Sequence, residues 1–236
     1  MDVVDDDDGR EGIITASLDL VERLGRHAAS TRAVSAAAGV QVPTIYRLFG
    51  DKQGLLDAVT ARGLEDYLSD KASASATADP VEDLRRGWDD HVSYAIAHPA
   101  LYSLMYDGRE RGIPSPAIAA AWDMLASLIR RIAQSGRLRV SELHATQLVH
   151  AAGMGTALTL IALPPGDRDD VLSRLAREAV VAAITHDAPR PVESGVATAA
   201  IALNASLSQT DALTATERHL LAEWLRRIID DESHSR

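Results

Sequence analysis

The stretch Ser30–Leu56, STRAVSAAAGVQVPTIYRLFGDKQGLL, reads as two short helices joined by a glycine turn, with polar and basic residues crowded onto the second. Ser30 precedes an alanine-rich run and can accept from the free N–H groups of a helix that begins at Thr31 and reaches about Ala38. Gly39 falls where the chain must turn sharply with φ > 0, a conformation that costs little only for glycine, and Val40 tucks an apolar side chain under the turn. Pro43 lacks an N–H and has φ preset near the helical value, which suits the first position of the next helix, Pro43 to about Phe49. On that helix Ile45, Leu48 and Phe49 fall to one side for packing against Val34 and Ala38, while Thr44, Tyr46 and Arg47 point outward. An exposed Thr, Tyr and Arg on so short a helix form a contact surface.

Asp51 is placed to cap a fourth helix, and Lys52 in its first turn adds a cation beside N–H groups that already favour an anion such as phosphate. From Arg23 to Lys52 the chain carries Arg23, Arg26, Arg32, Arg47 and Lys52 against Asp51 alone, a local excess of four positive charges in a chain of net charge -10. Positive charge is concentrated where neutralising phosphates would supply most of the affinity for nucleic acid.

This segment resembles the DNA-binding head of the TetR family of bacterial transcriptional regulators, closely over about residues 10 to 68 and beyond that by architecture only. Ala38-Gly39-Val40, Thr44-Ile45-Tyr46, Phe49, Lys52, Leu55 and Leu56 carry the resemblance, in the family's order and spacing. It implies that Thr44, Tyr46 and Lys52 contact the DNA backbone, that Gln41, Val42, Pro43 and Arg47 lie near base edges, and that Ser30, Thr31 and Arg32 belong to the same surface. Two positions depart from the family: Pro43 stands where glycine is commonest, and Leu48 where an aromatic or histidine is usual.

The whole chain has 236 residues, a mean hydropathy close to zero and ample apolar material for one large or two small domains. It contains no cysteine, which excludes disulfides, thiolate metal sites and cysteine nucleophiles. Residues 1–9 form an acidic stretch without the basic and apolar regions of a signal peptide, so they read as a disordered tail on a cytoplasmic protein. The most apolar run, Leu148–Pro165, is interrupted by His150 and is short for a bilayer, so it reads as a buried helix.

Strand signals are nearly absent and alanine is abundant, which makes the chain all-α: a three-helix DNA-binding head over residues 10–55, joined by a long helix to a helical effector-binding and dimerisation domain over 56–236. Helix one is expected over about 10–25 and helix four from Asp51 to about Ala74. Further helices are expected over about 81–98, 99–107, 117–135, 141–163, 167–185, 196–207 and 214–230, divided by Pro and Gly clusters.

Aromatic residues make up only 4% of the chain, yet Trp88, Tyr94, Tyr102, Tyr106 and Trp122 cluster in helices five to seven, with His91, Met105, Met124 and Met154 nearby. Aromatic and methionine walls with a few polar handles suit a small-molecule pocket, and Trp88, His91, Tyr102, Met105, Tyr106, Trp122 and Met154 are its expected lining, for a small apolar or aromatic effector. Helix eight carries Ala151, Ala152, Gly153, Gly155 and Ala157 among leucines, and helix nine Val171, Leu175, Ala179 and Val180. Small residues let helices approach closely, and the family pairs these two helices with their copies. His150, Gly153, Ala157, Leu175 and Ala179 are therefore the expected dimer contacts.

No catalytic motif is present: HExxH, GxSxG and the P-loop are all missing, and Gly153-Met154-Gly155 is half a nucleotide fingerprint in the wrong setting. His144 and His150 are six apart and point to different helix faces, so no shared metal, and no cofactor, is expected. The reading is a dimeric repressor of a palindromic double-stranded DNA operator, released by a small molecule. The alternative is a helical binding protein whose head does not touch DNA.

Overall fold

The computed structural model of the chain describes residues 3–25, 29–73, 76–106, 116–186, 196–210 and 212–234. Among these the regular structure is helical, apart from one isolated bridge between Leu138 and Thr185. The chain divides into two compact units, Met1–Ala74 with Ser93–Ala121, and Ser75–Val92 with Trp122–Arg236. The unit that holds the head thus extends past the boundary expected at residue 55.

The first unit contains α1 (Val3–Leu24), α2 (Thr31–Ala38), α3 (Val42–Phe49), α4 (Lys52–Ser73) and α6 (Pro99–Tyr106). Its core takes Ile13, Ile14 and Val21 from α1, Val34 from α2, Ile45 and Phe49 from α3, Leu55 and Val59 from α4, and Leu104 from α6. Within α1, α3 and α4 these positions repeat at four- or seven-residue intervals, as an inward apolar stripe on a helix does. Gly63 of α4 lies so close to α6 that a Cβ there would sit 2.4 Å from the Leu101 side chain. Its carbonyl accepts a 2.8 Å hydrogen bond from the Tyr94 hydroxyl, and the Tyr94 ring lies between Tyr67 and His98, with centroids 4.5 and 4.9 Å away. Tyr94, grouped with the ligand-pocket aromatics by the sequence pattern, is a brace on the α4 backbone.

Helix α1 corrects the expected disordered tail. It begins at Val3, within the acidic run, and an acidic N-terminal turn is compatible with the positive end of the helix dipole. Met1 and Asp2 lie outside the described residues.

Two further helices, α5 (Pro80–Ala97) and α7 (Pro116–Gln134), each cross the division between the units. The second unit adds α8 (Glu142–Ala162), α9 (Val171–Ile184), α10 (Val196–Ser206) and α11 (Ala215–His234). Helix α8 packs on α9, and α10 on α11. Helix nine begins later than expected, because residues 165–167 form a separate 3-10 turn behind two prolines.

A polar cluster that the sequence pattern did not reveal ties α5 to α7. Asp83, with only 7% of its side chain exposed, accepts from the Thr77 hydroxyl at 2.6 Å, the Thr77 N–H, Arg131 at 2.7 Å, and Arg86. One turn earlier Asp79 accepts from the Val81 N–H at 2.9 Å and from Arg137 at 2.7 Å. Burial by itself would push the Asp83 carboxyl up, but the hydrogen bonds from Thr77, Arg131 and Arg86 outweigh it and hold the pKa at about 2 against an ordinary 3.8.

A depressed folded-state pKa contributes stability that is present above pH 3.8 and is lost as the pH falls toward about 2. Asp83→Asn is therefore expected to lower the unfolding free energy by about 2 kcal/mol at neutral pH, measured by urea denaturation. The variant should also show a shallower loss of stability than the parent between those two pH values.

Candidate nucleic-acid interface

The α2–turn–α3 unit is fixed at each end by the residue types that its sequence supplies. The Ser30 hydroxyl accepts from the Ala33 N–H at 3.2 Å and caps α2. Gly39 closes α2 with φ 66°, in the left-handed region that glycine enters without strain. Ser35 clamps the turn twice, because its carbonyl accepts from the Val40 N–H at 3.1 Å and its hydroxyl donates to the Val40 carbonyl. A serine at that position carries no pattern that distinguishes it from a solvent-facing helix residue, so sequence reading passed over it.

Helix α3 starts at Val42, which puts Pro43 at its second position rather than its first. Ile45 and Phe49 are buried in the head's core, and Leu48 is packed against it. The opposite side carries Pro43, Tyr46 and Arg47, all exposed, with Tyr46 at 47%, and Thr44 is half-buried beside them. Ser30, Arg32 and Gln41 are exposed, while Thr31 and Val42 are half-buried.

Lys52 is the first residue of α4 and is exposed. Asp51 caps α4 as expected, accepting from the Gly54 N–H at 2.8 Å, so its carboxylate is turned toward the helix end. A Cβ on Gly54 would lie 2.1 Å from the Phe49 carbonyl oxygen, and this tight approach sets Lys52 beside the end of α3. The sequence reading also missed Arg10, whose guanidinium lies over the Phe49 ring at 5.2 Å. All ten residues expected to meet DNA belong to the first unit, and most of their side chains are exposed. Arg26, counted in the local charge excess, lies outside the described residues.

The expected ligand residues do not all fall in one unit. Tyr102 and Met105 are buried in the first unit, and the Tyr106 side chain lies outside the described set. In the second unit, Trp88, His91, Trp122 and Met154 gather along one stretch of α8. Trp88 and His91 come within 3.7 Å of the position a Gly153 Cβ would take, and Trp122 meets His150 edge-on with centroids 5.2 Å apart. Trp88 Nε1 donates to Ser173 Oγ of α9 at 3.0 Å.

The expected dimer contacts also separate. Gly153 and Ala157 are buried within the chain, which removes them from any surface offered to a second copy. Their small size admits Trp88 and His91 of the same chain, at least at Gly153. His150 is half-buried, whereas Leu175 is 65% exposed and Ala179 is exposed. Among the described residues no group of His, Asp and Glu is arranged to hold a metal ion, and no helix is long and apolar enough to cross a membrane.

Residues 13–59 match the family model described as bacterial regulatory proteins, tetR family. Among solved structures, SmeT of Stenotrophomonas maltophilia, the repressor of a multidrug efflux pump, is 24% identical over 78% of this chain and 95% of its own, with a TM-score of 0.58. FadR from Bacillus subtilis, solved with stearoyl-CoA, is 17% identical over 72% of this chain and 97% of its own, with a TM-score of 0.57. A TetR-family regulator from Haemophilus influenzae is 20% identical over 78% of this chain and the whole of its own, with a TM-score of 0.54. At these identities the likeness is one of fold. No curated protein matches the sequence significantly.

Because Lys52 is exposed and carries a charge at a helix start, Lys52→Ala should weaken binding to all DNA duplexes alike. The plot of log affinity against log salt should flatten by about one unit per contact in each subunit, measured by a salt titration of duplex binding.

Proposed function

We propose that this chain, whose N-terminal segment is the helix-turn-helix head of the TetR family of bacterial transcriptional regulators, is a dimeric, ligand-responsive repressor that binds a palindromic operator. The observation that carries the proposal is the division of α3 into two sides. Ile45 and Phe49 are buried, while Tyr46 and Arg47 are exposed on the opposite side. A single recognition helix reads few base pairs, so specificity requires two heads on half-sites about one helical turn apart.

The second copy is expected on the outer faces of α8 and α9. Leu148, Ala151 and Gly155 are exposed at i, i+3 and i+7 on α8, and Leu172, Leu175 and Ala179 repeat that spacing on α9. Among the described residues, apart from its chain neighbours and its own helix's backbone, nothing comes within 4 Å of a Cβ on Gly155. Two apolar stripes on neighbouring helices match a four-helix interface. Leu175 and Ala179 are retained from the expected contacts, and the α8 contribution moves from Gly153 and Ala157 to Leu148, Ala151 and Gly155.

Effector binding is assigned to the aromatic side chains along α8, with Trp88, His91, Trp122 and Met154 as contacts. The fold neighbours solved with stearoyl-CoA and with minocycline support a small-molecule effector for this chain. Effector and operator would favour different states of the dimer, so each weakens the other's binding by the same factor.

Tyr46→Ala and Arg47→Ala should each lose about 1–3 kcal/mol of specific binding to DNA from upstream of the chain's own gene, with helicity and oligomeric state unchanged. Gel-shift titration at fixed salt measures the loss, and parent-like affinity in either variant removes that residue from the interface. Leu175→Glu should convert the dimer to monomers in sedimentation at micromolar concentration, because it puts a charge at the centre of the apolar stripe. A monomeric parent would overturn the dimer.

A further inference from the structure

Helix α11 carries an apolar stripe in water. Leu220, Trp224 and Ile228 stand at i, i+4 and i+8 and are all exposed, Trp224 by 52%. Leu225 and Ile229 are the buried pair of this helix, and its main contacts are with α10 and with the turn at 207–209. The exposed three are surplus to that packing, and a run of large apolar side chains left in water marks an interaction surface.

The charges beside the stripe say what fits it. Glu223 precedes Trp224 by one position and Arg227 precedes Ile228 by one, so both lie about 100° to the same side of the stripe. They are one turn apart and opposite in sign, yet among the described residues neither makes an ion pair. A ridge of side chains at four-residue spacing packs readily into the same ridge of another helix. If the other helix is a copy of α11 running antiparallel, with a two-fold axis at the level of Leu225, Glu223 of each copy comes level with Arg227 of the other. Both ion pairs form at once, and the two Trp224 rings meet near the axis. A parallel copy would instead set this flank against the side that carries Leu221 and Leu225, where neither charge has a partner.

We propose that α11 is a second self-association surface, separate from the stripes of α8 and α9, on which two copies pair antiparallel through Leu220, Trp224 and Ile228 with reciprocal Glu223–Arg227 ion pairs. Three large side chains per copy form a small interface of the transient kind, so this pairing belongs to concentrations above the micromolar range. Joined in this way, two of the dimers proposed above would present four heads, and occupation of one operator would raise the local concentration at a second. That consequence rests on the regulator reading; the pairing itself does not.

The test is sedimentation equilibrium of the full-length chain without DNA, from micromolar to millimolar concentration and at low salt, where exposed charges are least screened. The average mass of the parent should rise to twice its micromolar value, and Trp224→Glu should hold that value throughout. Glu223→Arg and Arg227→Glu should each suppress the rise, because each sets like charges opposite one another across the axis. An equimolar mixture of these two variants should regain it, since a chain with two arginines then faces a chain with two glutamates. Mixing leaves the charges within each chain as they were, so the recovery reports contact between chains and not a repaired fold.

A parent whose mass stays at its micromolar value, or a Trp224→Glu variant of parent-like helicity by circular dichroism that doubles as the parent does, overturns the proposal and leaves the stripe to a different protein. If Trp224→Glu does not fold, the charge variants decide alone. A mixture no heavier than its separate components, or single variants that double as the parent does, overturns the antiparallel pairing.

Discussion

Helix α4 is held by two glycines at points where no side chain would fit. At Gly54 a Cβ would overlap the last carbonyl of α3, and at Gly63, two and a half turns further on, it would overlap Leu101 of α6 and crowd Leu18 of α1. Alanine at either site would force a backbone or a buried leucine to move, because the neighbouring atoms are already in contact. The first approach fixes the end of the recognition helix against the start of α4, and the second fixes α4 against the two helices that flank it. Tyr94 then locks the Gly63 carbonyl from the side. A helix seated at both points moves with its neighbours, so Lys52 and α3 keep a common frame.

That rigidity matters because of how charge is distributed. The chain carries a net charge of -10, and a uniformly acidic surface would be repelled from DNA. The head concentrates Arg32, Arg47 and Lys52 around a helix whose one acidic neighbour, Asp51, is oriented into a cap. In the proposed regulator this face would approach a duplex with less repulsion than an acidic surface, so the electrostatics would favour an encounter through the head. Arg10 adds a cation over Phe49, supplied by a helix otherwise rich in carboxylates. The packed inner side of α3 leaves Gln41, Tyr46 and Arg47 exposed, and these are the side chains to which the proposed function gives specificity.

The head was legible in the sequence because its determinants are local. Ser30 as a cap, Gly39 at positive φ, Asp51 as a cap and the inward stripe of Ile45 and Phe49 each depend on residues within one or two turns, and all are found as read. The helical class was legible for the same reason. The remainder required knowledge of which surface covers which. Asp83 is an unremarkable acidic residue in sequence, yet its partners include Arg131, 48 positions away. Gly153 and Gly155 carry the same signal of close approach, and periodicity cannot say whether the neighbour is Trp88 of the same chain or a second copy. The acidic start of α1 read as a tail because composition favours disorder there, whereas a helix that begins in carboxylates is stabilised by its own dipole. The seven expected pocket positions, His91 with six aromatic or methionine residues, were grouped by composition, and the chain divides them between two units.

The correction at Gly153 gives helix α8 two distinct faces. Gly153 meets Trp88 and His91 within the chain, and Ala151 and Gly155, about half a turn to either side, face outward. Trp88 touches α9 as well, through its indole N–H on Ser173, and the same helix α5 holds α9 by Arg85 to Glu178 and by Asp89 to Arg177. Trp88 is thus wedged beneath both helices whose outer surfaces are assigned to the second copy. A close-packed interior transmits displacement instead of absorbing it. A molecule that moved Trp88 would press on α8 at Gly153 and draw on α9 at Ser173, changing the angle between the helices from below. The exposed stripes of Leu148, Ala151 and Gly155 and of Leu172, Leu175 and Ala179 would then meet their copies in a different register. In the proposed dimer, ligand binding and subunit geometry would be coupled across the thickness of a single helix, with the indole of Trp88 as the coupling element.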